Sequence, residues 1–317
     1  MKEILFAVLF LVVGFVLLIK GADFFVDGSS SVAKMLKIPS LIIGMTIVAM
    51  GTSLPECAVS VTASIQNNNS LAISNAIGSN IFNLMVVCGM CSLFTPLLVG
   101  KDTLKKDFPF SVFCALLLLA LGYIGMTLGH IDGVVLVLLF AAYIVYMIMS
   151  AKKARKENKE QESEEETKTL PIWLCLIYIV GGAAAIKFGG DFVVDGAVTI
   201  ATKFGLSQTL IGLTIVSMGT SLPELVTSLV AAKKQELDMA VGNVVGSNIF
   251  NILLVLGVAG AISPVGFIME NIIDIIILVV MSAIVWSFAR TKEKIVRREG
   301  VVMLLLYAAY LVYICIR

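Results

Sequence analysis

Apolar residues fall in ten runs along the chain, separated by short polar breaks. The runs occupy residues 4–20, 41–65, 71–95, 108–128, 131–149, 171–188, 209–232, 239–262, 271–289 and 301–316. A helix that crosses a bilayer needs about 20 mostly apolar residues, with a range of about 17–25. Each run therefore reads as one span, and the chain is expected to be an all-α membrane protein with ten transmembrane helices. The spans divide as five in residues 1–150 and five in 171–317, joined by a polar segment at 151–170.

Composition agrees with this pattern. The chain is 59% hydrophobic and 14% charged, against about 25% charged residues in soluble domains. The net charge of +1 and the absence of a basic patch interleaved with aromatics give no sign of a nucleic-acid partner. All six cysteines lie in apolar stretches. Cys88 and Cys91 form a C-x-x-C with no second pair, so they read as small buried hydrophobes. His130 stands alone in a short loop.

The two halves repeat each other. Gly51-Thr52-Ser53-Leu54-Pro55-Glu56 recurs as Gly219-Thr220-Ser221-Leu222-Pro223-Glu224. Gly78-Ser79-Asn80-Ile81-Phe82-Asn83 recurs as Gly246-Ser247-Asn248-Ile249-Phe250-Asn251, at the same offset of 168 residues. The opening run has the look of a signal sequence, but no small-residue cleavage site follows it. Its sequel, Gly21-Ala22-Asp23-Phe24-Phe25-Val26-Asp27-Gly28, has a twin at Gly189–Gly196, so the run is expected to be retained as a structural helix.

Five spans per copy make the second copy enter the membrane upside down relative to the first. The expected result is a pair of inverted repeats with a site near the midplane between them. Loop charges set the orientation. Of the 23 Lys and Arg, all but Lys2, Lys20, Lys187, Lys203 and Arg317 lie in loops after odd-numbered spans. The positive-inside rule then places both termini outside and the 151–170 linker in the cytoplasm. That linker starts basic, ends acidic (Glu164, Glu165, Glu166) and has no apolar face, so it reads as a solvated connector. The triplet Asn68-Asn69-Ser70 fits a glycosylation sequon on the outer face.

A carboxylate in a membrane span is costly, and its recurrence in both copies reads as function rather than accident. Thr52 and Glu56 are four residues apart, which puts them on one face of a helix, with Ser53 beside them. Pro55 has no N–H, so the Gly51 carbonyl loses its helical partner. Thr220, Ser221 and Glu224, with Pro223, offer the same set. Ser79 with Asn83, and Ser247 with Asn251, add further oxygens at i, i+4, and Asn75 and Asn243 extend the stripe. Gly78 and Gly246 are expected to let helix backbones approach closely. The donors are oxygens with two carboxylates, which suits Ca²⁺ with its 6–8 oxygen ligands and serves zinc, copper or iron poorly. Two close carboxylates left empty would repel, which favours exchange of one cation for another over simple release. Asn80 and Asn248 point elsewhere on their helices and read as packing residues. Asp23, Asp27, Asp191 and Asp195 are expected at span ends in an interfacial role.

On these residues the chain resembles the cation/calcium exchanger superfamily, and within it the prokaryotic sodium/calcium exchangers. The likeness spans the whole chain: ten spans, a central linker, and the doubled G-T-S-L-P-E and G-S-N-I-F-N motifs. The resemblance implies a core of the second, third, seventh and eighth helices, across which long first and sixth helices slide to alternate access. It implies calcium ligands at Glu56, Glu224, Thr52 and Thr220. It implies sodium sites using Ser53, Ser79, Ser221 and Ser247, with Ala49 and Ser217 acting through backbone carbonyls. Some relatives carry an aspartate where this chain has Asn251; two amides at Asn83 and Asn251 disfavour potassium co-transport and proton uptake there. The acidic motif of calcium/proton exchangers is not found.

The expected function is therefore antiport of Na⁺ inward for Ca²⁺ outward, in a cell inner or plasma membrane. A calcium/proton exchanger is the alternative, and a calcium channel is disfavoured because channels more often surround an axis normal to the membrane. Nothing resembles an enzyme: serines and glutamates recur symmetrically, which catalysis does not need, and His130 has no partner. No cofactor and no obligate protein partner is expected; the partners are the lipid bilayer and the transported Ca²⁺ and Na⁺.

Overall fold

The computed structural model describes residues 2–66, 69–160, 169–205 and 217–316. The motif Asn68-Asn69-Ser70 and the linker residues 161–168, with their acidic run, lie outside what is described of backbone and side chains together, as do residues 209–216 of the expected seventh span. The described chain is almost wholly helical. In order, the helices are α1 (Lys2–Leu36), α2 (Ser40–Thr52), α3 (Leu54–Ile65), α4 (69–94), α5 (Phe108–Tyr123), α6 (His130–Glu160), α7 (Ile172–Lys203), α8 (Leu222–Lys233), α9 (Leu237–Ile262), α10 (Met269–Lys292) and α11 (Arg297–Ile316).

Among the described residues, seven helices are long and apolar enough to cross a membrane. An eighth crossing is formed if α2 and α3, bent by 49° at their junction, count as one span. Helix α5 has 16 residues and α8 has 12, short of a full crossing on their own. The chain is a multi-pass membrane protein.

Helix limits differ from the apolar runs at three places. Residues 4–20, 131–149 and 171–188 were expected as spans, yet α1, α6 and α7 run on to Leu36, Glu160 and Lys203. Apolarity marks only the stretch that faces lipid or protein. A helix continues past it, because its hydrogen bonds are internal and nothing at Gly21–Gly28 forbids them. At about 1.5 Å per residue, α1 is about 52 Å long, well beyond a hydrocarbon core of about 30 Å. It stops where Lys37 takes a left-handed φ of 57° and Ile38 N–H returns to the Ala33 carbonyl. At the equivalent end of α7, Gly205 takes φ 79°.

The sequence repeat is also a structural one. Helices α3 and α8, the segments Asn69–Phe82 and Leu237–Phe250, and the turns Cys88–Phe94 and Leu256–Ile262 all begin and end at an offset of 168. So do two π-helical turns, Asn83–Val87 and Asn251–Val255. Two short antiparallel ribbons cross-link the copies: β1 (Leu97–Leu98) with β4 (Lys294–Ile295), and β2 (Thr127–Leu128) with β3 (Val265–Gly266).

Burial separates core from periphery. In α4 and α9 about three-quarters of the membrane window is buried, 72% and 78%, against 22% in α1, α6, α7 and α11. Helix α9 lies along α2, where a Cβ on Gly246 would stand 2.7 Å from the Met45 backbone and one on Gly242 2.7 Å from the Leu41 carbonyl. Only glycine permits that approach. The outer pair, α1 and α7, run antiparallel: Gly14 meets Gly189, Gly21 meets Gly182, and Gly28 meets Cys175.

Candidate cation site

Each copy of G-T-S-L-P-E breaks a helix. Helix α2 ends at Thr52, Ser53 leaves helical geometry at φ −85° and ψ 9°, and α3 starts at Leu54 with Pro55 in its first turn. The second copy does the same at Ser221, with Pro223 in the first turn of α8. Thr52 and Glu56 were expected to share one helix face. They instead stand on either side of the break, because Pro55 cannot continue the ladder. The break puts Glu56 in the first turn of α3 and Glu224 in the first turn of α8. There the unpaired N–H groups and the positive end of the helix dipole favour a carboxylate.

Both carboxylates are fully buried, as are Thr52, Ser53, Ser221, Ser247, Asn83 and Asn251, with Ser79 nearly so. Each glutamate is held by a serine of the other copy. Ser53 Oγ donates to Glu224 Oε1 at 2.8 Å, and Ser221 Oγ donates to Glu56 Oε1 at 3.2 Å. Ser79 Oγ also reaches Glu56 Oε1 at 3.4 Å and lies 2.9 Å from Ser221 Oγ. Each carboxylate is thereby bonded across the interface between the copies.

The asparagine stripe buttresses the breaks. Asn243 Nδ2 donates to the Glu224 carbonyl (3.4 Å) and to Ser228 Oγ (2.9 Å), while its Oδ1 accepts from Thr52 Oγ1 at 3.1 Å. Asn75 repeats this with the Glu56 carbonyl (3.4 Å), Ser60 Oγ (3.1 Å) and Thr220 Oγ1 (3.4 Å). Thr52 and Thr220 are thereby fixed across the interface between the copies. Ala49 is fully buried, and its carbonyl accepts from Ser53 N–H at 3.0 Å and Thr52 Oγ1 at 3.3 Å, so it is engaged within its own turn. Ser217 opens the single turn Ser217–Gly219; its side chain lies outside the described residues.

Five buried oxygens of the motifs have no hydrogen-bond partner: Glu56 Oε2, Glu224 Oε2, Ser247 Oγ, Asn83 Oδ1 and Asn251 Oδ1. An unsatisfied buried polar atom costs about 1–3 kcal/mol, more when charged. Five such oxygens on two symmetric motifs fit a hard cation that takes oxygen ligands. Among the described residues, no three His, Cys, Asp or Glu gather as a metal cluster, so charge at this centre comes from two glutamates alone.

Asn80 and Asn248 were read as packing residues, and the geometry gives them more. Asn80 Nδ2 donates to the Asn248 carbonyl at 3.1 Å, and Asn248 Nδ2 donates to the Asn80 carbonyl at 3.2 Å. Their side-chain oxygens in turn accept from Asn251 Nδ2 (3.1 Å) and Asn83 Nδ2 (3.3 Å). Their place in both copies of the motif was the signal. Helix-wheel geometry hid it, because their partners lie across the interface.

The four aspartates, expected at span ends, follow the apolar runs 4–20 and 171–188 by a few residues. They sit inside α1 and α7, which extend further than their apolar runs. Asp23 and Asp27 both pair with Lys234, at 3.4 and 2.7 Å. Asp191 pairs with Lys187 of its own helix. Asp191 and Asp195 line a cleft of about 360 Å³ that reaches Pro55, Thr220 and Pro223.

A buried, oxygen-lined centre inside a multi-pass helical bundle is the construction of an ion transporter. Comparison with known proteins makes this specific. The family model described as sodium/calcium exchanger protein matches residues 6–149 and 174–316. The chain is 42% identical over 269 residues to the putative antiporter CaxA of Alkalimonas amylolytica, covering 82% of each chain. It is 32% identical to the sodium/calcium exchanger MaX1 of Methanosarcina acetivorans, covering 96% of this chain and 97% of that one. It superimposes on the solved structure of the sodium-calcium exchanger NCX_Mj soaked with 10 mM Na⁺ and 10 mM Sr²⁺ at a TM-score of 0.83. That match has 34% identity and covers 96% of this chain and 97% of the other. The chain belongs to the sodium/calcium exchanger family: it is a membrane antiporter of cations including Ca²⁺.

Proposed function

We propose that the protein exchanges Na⁺ moving inward for Ca²⁺ moving outward, by alternating access to one site at the membrane midplane. The carrying observation is that two buried glutamates, one from each copy, are held by each other's serines and each keep an oxygen without a partner. Calcium would be held by Glu56, Glu224, Thr52 and Thr220. Sodium would use the same two glutamates with Ser53, Ser79, Ser221 and Ser247 and the Ala49 and Ser217 carbonyls, and Asn83 and Asn251 would complete the oxygen lining of the site. Two carboxylates neutralise one Ca²⁺; once it leaves, they repel until monovalent cations replace it. Coupling follows from that electrostatic demand.

The architecture proposed is ten spans in two inverted five-helix repeats, residues 1–150 and 171–317, with a cytoplasmic linker at 151–170. Antiparallel α1 and α7, which are equivalent helices, support the inversion. Loop charge supports termini outside, in a cell inner or plasma membrane; the chain's relatives include the inner membrane protein YrbG of Escherichia coli, 32% identical. The test is uptake of ⁴⁵Ca²⁺ into proteoliposomes. Loading the vesicles with Na⁺ is expected to drive uptake, and collapsing the sodium gradient to stop it. Uptake that ignores sodium and follows a pH gradient would replace this reading with calcium/proton exchange.

A further inference from the structure

The four asparagines at the crossing of α4 and α9 form a directional circuit. A backbone carbonyl can only accept, so the Asn248 carbonyl requires that Asn80 turn its NH₂ toward it, at 3.1 Å. Asn80 Oδ1 must then face the other way, where Asn251 stands at 3.1 Å. That oxygen requires the NH₂ of Asn251, which leaves Asn251 Oδ1 turned to the remaining side, buried and without a partner. The second arm runs identically from the Asn80 carbonyl through Asn248 to Asn83, and Asn83 Oδ1 is the second buried oxygen without a partner. All four side chains are 0–1% exposed.

We infer that Asn80 and Asn248 are positioning residues: each fixes the amide of the opposite copy, Asn251 or Asn83, so that its carbonyl oxygen rather than its NH₂ meets the transported cation. An amide free to flip would present a donor to a cation for part of the time, and the flip is blocked by a chain of bonds that starts at a peptide carbonyl. The circuit is crossed. Asn80 acts on Asn251, 171 residues away, and not on Asn83, three residues along its own helix. This inference rests on the exchange reading above.

The crossing supplies the test, a double-mutant cycle read as half-saturation for Ca²⁺, both in equilibrium ⁴⁵Ca²⁺ binding to purified protein and in exchange by sodium-loaded proteoliposomes. Removing a group that orients a metal ligand costs about 10–100-fold in affinity, so Asn80→Ala is expected to raise half-saturation about tenfold with a much smaller change in maximal rate. Asn80→Ala added to Asn251→Ala is expected to add nothing, since its target is gone. Added to Asn83→Ala, it is expected to multiply. Asn248→Ala should couple to Asn83→Ala in the mirror pattern. Equal effects of Asn80→Ala in both backgrounds, a loss confined to yield or maximal rate, or failure of both single alanine variants to fold would overturn the inference. In each case the amides would be holding the crossing together and not aiming a ligand. Wild-type protein that takes up no calcium against sodium sinks the exchange reading itself; wild-type exchange with an additive cycle sinks only the positioning role.

Discussion

The crossing of α4 with α9 and the contact of α1 with α7 are two meetings of the repeats built on opposite principles. At the crossing, amides bond from one copy to the other, and beside it serines bond the opposite copy's glutamates, the partners being fixed by direction. Along α1 and α7 the contact is a seam of glycines. Gly14, Gly21 and Gly28 recur every seven residues, as do Gly182, Gly189 and Gly196 in the equivalent positions. A Cβ on Gly14 would stand 2.8 Å from the Gly189 carbonyl, and one on Gly182 2.8 Å from the Gly21 carbonyl. Contact between bare glycine backbones is close but offers no side-chain donor or acceptor, and the ion pair of Glu3 with Lys203 joins the two helices at one end. On the function proposed above, the crossing would hold ions and resist shear, and the seam would join a pair of helices that moves over it as one body.

The C-terminal half of α1 is tied to the core by polar contacts. Lys234 bridges Asp23 and Asp27, Lys34 pairs with Glu236 at 3.7 Å, and Ser30 Oγ donates to Glu236; all join α1 to the turn between α8 and α9. At the 168-residue offset, Lys234 becomes Gln66 and Lys34 becomes Thr202, although both aspartates persist as Asp191 and Asp195. On that side the cleft opens toward Thr220. The two halves of the centre are thus built from the same motifs, while the two outer helices meet the core through different polar contacts.

The largest effect is expected at the two glutamates beside the crossing. Removing one partner of a buried charged cluster costs about 3–5 kcal/mol, so Glu56→Gln or Glu224→Gln should each lower calcium exchange at least about a hundredfold. Elution as a single species in detergent should be unchanged; retained ⁴⁵Ca²⁺ exchange in either variant would move the ligand set elsewhere. A smaller effect, and of a different kind, is expected at the seam. Gly21→Leu forces a side chain against the Ala185 and Ile186 region at 2.9 Å, where overpacking costs about 1–3 kcal/mol. Equilibrium calcium binding should persist while exchange slows by an order of magnitude or so. Loss of binding together with exchange would erase the division between holding and moving. The mildest change is expected at the tied end. Lys234→Gln copies the residue that the other end already has, and a half-exposed ion pair is worth about 0.2–1 kcal/mol. The balance between access states should shift at most about fivefold, read as altered accessibility of cysteines introduced on the two faces. No shift would mean the ion pairs are ornaments of the turn.

Much of this was legible in the chain itself. The membrane class follows from apolar run length, and the polar centre follows from a carboxylate and a proline repeated inside two such runs. The structure brings Ser53 to Glu224, and Ser221 and Ser79 to Glu56, all of them residues of the doubled motifs. What was not legible is informative. Thr52 and Glu56 were placed on one helix face by counting residues. The helix is broken between them, which a periodicity argument cannot represent. Helices α1 and α7 were cut short at Lys20 and Phe188, because hydropathy reports where lipid ends and not where backbone hydrogen bonds end. Asn80 and Asn248 were set aside because they point away from Glu56 and Glu224 on their own helices.

By itself, then, the sequence determined which atoms are costly to bury, that they come twice, and that oxygen donors surround them, since these depend only on residue chemistry and on spacing along the chain. Only the tertiary structure decided who meets whom. Bonds within each copy brace the breaks, but those that join the two halves of the centre run from one copy to the other across more than 140 residues of chain. Such pairings are set by how two antiparallel, glycine-seamed halves dock, and no local period in the chain encodes that docking.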